Sequence, residues 1–72
     1  VPSLPRIFGS EVVRVLEHLG FQQVRQRGSH VVQRRSNTVT VVPLHRRDLA
    51  PGTLHGILKQ AAVMVEEFVE QV

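Results

Sequence analysis

Two β-branched runs, His30 to Arg35 and Thr38 to Val42, stand two residues apart in the middle of this chain, with Ser36 and Asn37 between them. Serine and asparagine bond their own local backbone, so a two-residue gap of this kind between strand-like runs predicts a hairpin. Pro43 closes the third strand because it cannot donate to a ladder. Upstream, Phe21 to Arg27 is mostly polar and predicts an edge strand anchored by Phe21 and Val24. Gly28 and Ser29 turn that strand into His30.

On either side of these strands the apolar period lengthens to that of a helix. Val12, Val13, Leu16 and Leu19 follow Ser10, a suitable N-cap, with Glu11 in the first turn. Gly20 stops this helix and Phe21 is placed to fold back over its end, while His18 is an exposed last-turn residue that suits the helix dipole. Pro51 fits the first position of a second helix, whose Leu54, Ile57, Leu58 and Ala61 form one apolar stripe. Gly56 weakens that helix by about 1 kcal/mol relative to alanine unless a packing partner needs the space. Val63 to Val72 either continues the second helix or forms a short third one. Val1 to Phe8, with Pro2 and Pro5, is an extended lead-in, and Leu44 to Ala50 a connecting loop. The order α-β-β-β-α predicts an α+β fold, a three-stranded antiparallel sheet with helices on one face. A chain of 72 residues is one domain, residues 1–72, and buries only about 60% of its unfolded surface, which limits it to two layers.

The chain has no cysteine, so disulfides and thiolate metal sites are excluded. His18, His30, His45 and His55 show no metal-ligand spacing, and neither a metal nor another cofactor is expected. The longest apolar run, Ala61 to Val65, is too short for a membrane span, and a cytoplasmic location is expected. Charge is unevenly placed: the net charge is +3, but residues 1–47 carry eight basic and two acidic side chains, and residues 48–72 one basic and four acidic. Arg25, Arg27, Arg34, Arg35, Arg46 and Arg47 are all arginine, whose planar fork matches phosphate, so they are candidate contacts to a polyanion; the alternative is a solvated, solubilising surface.

Arg27-Gly28-Ser29-His30 concentrates chemistry at one corner. Glycine allows a left-handed backbone, serine brings a small hydroxyl, and histidine moves protons near neutral pH. If Ser36-Asn37 is a two-residue loop, His30 pairs with Pro43 and His45 lies diagonally from it on the same face, roughly 7–8 Å away. That register also puts His30 on the face of Val32, Val39 and Val41, where it can equally be a partly buried, satisfied histidine. A loop one residue longer reverses the relation.

Taken together, the helix ending in Leu-Gly-Phe, the Arg-Gly-Ser-His corner, the strand Thr38 to Val42, Pro43, His45 and the run Asp48-Leu49-Ala50-Pro51-Gly52-Thr53-Leu54 resemble the HicA family of toxins over nearly the whole chain. The resemblance implies a fold of the double-stranded-RNA-binding-domain type, metal-free endoribonuclease activity on mRNA, and a HicB-type antitoxin that masks it. It also implies a toxin that is monomeric alone or hetero-oligomeric with its antitoxin. It makes His30 the catalytic residue, with Gly28 and Ser29 shaping its corner; His45 is a candidate second acid or base. The family often has an aromatic soon after the histidine, where this chain has Val31, Val32 and Gln33. It usually breaks the C-terminal helix with a glycine and a capping residue, where this chain has Ala62, Val63 and Met64. A non-catalytic RNA-binding module of the same fold, and a protein-interaction domain with a basic face, are the other readings.

Overall fold

A computed structural model describes residues 6–45 and 47–72. Pro2 and Pro5 of the lead-in, and Arg46 of the loop, lie outside the described residues. The elements run α1 (Gly9–His18), β1 (Gln22–Arg27), β2 (His30–Arg35), β3 (Thr38–Pro43), α2 (Pro51–Ala61) and α3 (Val65–Gln71). The strands form one antiparallel sheet in the order β1-β2-β3. The shortest dimension, 17 Å, accommodates the sheet and a single helical layer.

Both hairpins have two-residue turns, Gly28-Ser29 and Ser36-Asn37. In each, positive φ is confined to the first turn residue, 56° at Gly28 and 54° at Ser36, the pattern of a type II′ hairpin. Glycine adopts that φ without strain, whereas Ser36 does so at a cost. The turns fix the register: Arg27 pairs with His30, His30 with Pro43, and Arg35 with Thr38.

Side-chain alternation then divides the sheet into two faces. Val31, Gln33, Thr40 and Val42 are buried against the helices, while His30, Arg34, Val39 and Val41 on the other face are exposed. The helices supply Val12, Val15 and Leu16 from α1, Leu54, Ile57, Leu58 and Ala61 from α2, and Phe68 from α3, all in one core with Ile7, Phe21, Val42, Leu49 and Val63.

Two expectations fail locally. Val24 does not anchor β1: the ladder shifts register between Gln23 and Arg25, and the valine at this bulge is 51% exposed, so Phe21 alone secures the start of the strand. Ser10 is not the N-cap of α1. The helix starts at Gly9, and the Phe8 carbonyl accepts from the amides of Glu11 (3.0 Å) and Val12 (3.1 Å). A Cβ at position 9 would collide with the Pro43 carbonyl. The tertiary contact therefore requires glycine there, and the helix begins two residues early with Ser10 inside its first turn.

The C-terminal end of α1 follows its expected course. Gly20 has φ 99°, its N–H donates to Glu17 O at 3.0 Å, and Phe21 N–H donates to Leu16 O at 2.9 Å, the reciprocal bonds of a glycine C-cap. The second helix ends in the same way without glycine. Ala62 takes φ 56°, and the amides of Ala62 and Val63 donate to Lys59 O (3.2 Å) and Leu58 O (2.9 Å). A left-handed alanine costs about 1–2 kcal/mol, and the turn brings α3 back so that Phe68 reaches the core. The Glu67 carboxylate accepts from Met64 N–H at 3.3 Å, which helps to start this short third helix.

Candidate active site on the open face of the sheet

The register orders the open face in rows across the strands. Nearest the Gly28-Ser29 turn stand Arg27, His30 and Pro43; next come Arg25, Val32 and Val41; last come Gln22, Arg34 and Val39. Arg25, Arg27, His30 and Arg34 are all exposed. Among the described residues no helix covers this face, and His30 is exposed rather than a satisfied, partly buried histidine.

His45 comes to the same corner by continuation of β3. Leu44 N–H donates to Ser29 O at 2.5 Å, which extends the strand past Pro43 and delivers the next residue beside β2. The His30 and His45 rings meet edge to face, 6.3 Å apart between centroids and 86° between planes. The far end of the loop is fixed as well. Leu49 N–H donates to Ile7 O at 2.8 Å, and Arg6 donates through Nε and Nη2 to the two Asp48 oxygens at 3.1 and 3.3 Å. Hydrogen bonding and then the charge of Asp48 raise the Arg6 pKa above its ordinary value. This exposed pair adds little stability, but it orients the loop carrying His45. Arg47 follows in that loop, exposed.

Arg35 does not join the other arginines. It lies half-buried on the helical side, where Nη1–H donates to Leu19 O at 2.8 Å. Its guanidinium carbon stands 4.7 Å from the centre of the Phe21 ring. It thus satisfies a free carbonyl at the end of α1 and stacks as a cation on an aromatic face. His55 is exposed on α2, beside Lys59 and Met64, and His18 is exposed at the end of α1. Among the described residues, no three His, Asp or Glu side chains gather as a metal-ligand set, and no helix is long and apolar enough to cross a membrane.

Three residues that support the site carry little sequence signal. Gly9 admits the Pro43 carbonyl, and Gln33 ties β2 to α1 by donating from Nε2 to Val13 O at 3.2 Å. Gln60 closes the outer edge of β3: its Oε1 accepts from Thr40 Oγ1–H at 3.0 Å and from Val41 N–H at 3.3 Å. Glutamine in an amphipathic helix reads as a solvent residue, and only the tertiary fold shows which carbonyl or amide it serves.

These features define a small α+β protein with a helical layer behind the sheet and two histidines flanked by arginines in front. The family model described as the HicA toxin of bacterial toxin-antitoxin systems matches residues 9–63, from the first residue of α1 to just past α2. This chain belongs to the HicA toxin family, whose members pair with an antitoxin. A comparison with individually curated proteins returns no match.

Proposed function

We propose that this chain is a metal-independent endoribonuclease that cleaves mRNA at the Gly28-Ser29-His30 corner, and that a HicB-type antitoxin restrains it. The observation that carries the reading is the approach of His30 and His45 to 6.3 Å between ring centroids on an uncovered face, with Arg27 cross-strand from His30. Metal-free cleavage of RNA uses the 2′-OH next to the scissile phosphate as nucleophile. A base must take its proton, a cation must meet the charge growing on the phosphate, and an acid must protonate the departing 5′ oxygen. In this reading His30 is the principal acid-base group, His45 supplies the complementary proton step, and Arg27 and Arg47 stabilise the phosphate. Ser29 orients the corner. Arg46, in the same loop, is a further phosphate contact.

Cleavage of a purified single-stranded RNA by the intact chain, followed across pH, tests this pairing. An acid and a base acting together give a bell-shaped rate profile. His45→Ala is expected to lower the rate and remove one limb of the bell. A profile that keeps both limbs in His45→Ala would assign the second proton step to another group.

A further inference from the structure

The three rows of the open face carry one arginine each. Arg27 stands level with His30, Arg25 two residues farther from the corner beside Val32, and Arg34 in the third row opposite Gln22 and Val39. Two residues of strand advance about 6–7 Å, a step commensurate with that between successive phosphates of an extended single strand. The three helices carry charge of the opposite sense, five glutamates against Arg14 and Lys59. Glu11 and Glu17 are exposed on α1, where Arg14 is held by Glu11, and Glu66, Glu67 and Glu70 are exposed on α3. A polyanion is therefore drawn to the sheet face and repelled by the helical layer.

The face also shows how that polyanion is read. Its centre is Val32, Val39 and Val41, and no strand contains phenylalanine, tyrosine or tryptophan. Bases gain no stacking platform of the usual aromatic kind, so contact falls on phosphates and sugars, which carry no sequence information. We infer that the open sheet face is a backbone-reading track for single-stranded RNA, running from the His30 corner past Arg25 to Arg34 and gripping the two phosphates beyond the one being cleaved. This rests on the endoribonuclease reading and adds to it the class of substrate and the path that substrate takes.

Binding to a short fluorescent 2′-O-methyl single strand, which lacks the nucleophile and survives intact, tests the track. For single strands, log K falls against log salt with a slope of about −0.7 per phosphate neutralised. Arg25→Ala and Arg34→Ala should each flatten the slope by about 0.7, and together by about 1.4. Arg25→Lys and Arg34→Lys should restore it, which a folding defect would not allow. Arg14→Ala should leave it unchanged, exchanging the bases of the strand should alter affinity little, and a duplex of the same sequence should bind more weakly. Unchanged slopes in Arg25→Ala and Arg34→Ala, or preference for the duplex, would overturn the track. If the intact chain still cleaves RNA in that case, the endoribonuclease reading survives the loss. Slopes that follow the track in a chain that never cleaves would overturn that reading instead and leave the track standing.

Discussion

Replacing His30 by alanine is expected to slow RNA cleavage by about 10²–10⁴, the usual worth of a positioned acid or base, while affinity for a single strand changes little. The variant keeps the fold because His30 is exposed and follows a turn whose geometry is set by Gly28. Arg25, Arg27 and Arg34 remain to hold the phosphates. Rate and binding measured on one preparation therefore separate chemistry from affinity. Equal loss of both would make His30 a contact residue in a non-catalytic module.

Phe68→Ala should have the largest effect on stability, about 3–5 kcal/mol, with loss of most folded protein at physiological temperature. Phe68 is fully buried although it belongs to a helix of only seven residues. Such a short helix has no stability of its own, so its ring joins α3 to the core. A domain of this size holds few kilocalories in reserve. Thermal unfolding followed by circular dichroism checks this; a melting point within a few degrees of the parent would mean that α3 is dispensable.

How much of this was legible beforehand depends on whether the cause was local. The hairpins are local: Ser36-Asn37 and Gly28-Ser29 set the register, and register alone placed His30 opposite Pro43 with His45 beside it. The same arithmetic could not say which face the helices would cover. That follows from the whole alternation of Val31, Gln33, Thr40 and Val42 against α1 and α2. Nor could it show Val24 at a bulge, because the extra residue of β1 is visible only against β2. Ser10 has the right chemistry for a cap, yet contact between Gly9 and Pro43 moves the helix start. Arg35 resembles its neighbour Arg34 in every local respect. One position along the strand puts them on opposite faces, one toward solvent and the other under the end of α1. Ala62 gives no sign of a helix stop, since alanine is the best helix former; the requirement to bury Phe68 imposes the left-handed turn there.

The most direct test of the proposed chemistry is the identity of the ends left after the purified chain cuts a defined single-stranded RNA in the presence of a chelator. Attack by the neighbouring 2′-OH, with His30 and His45 moving the protons, leaves a 2′,3′-cyclic phosphate on one fragment and a 5′-hydroxyl on the other. The same RNA carrying one 2′-deoxy sugar at the cut should be spared there. Fragments ending in 3′-hydroxyl and 5′-phosphate, or undiminished cutting at the deoxy position, would contradict the account.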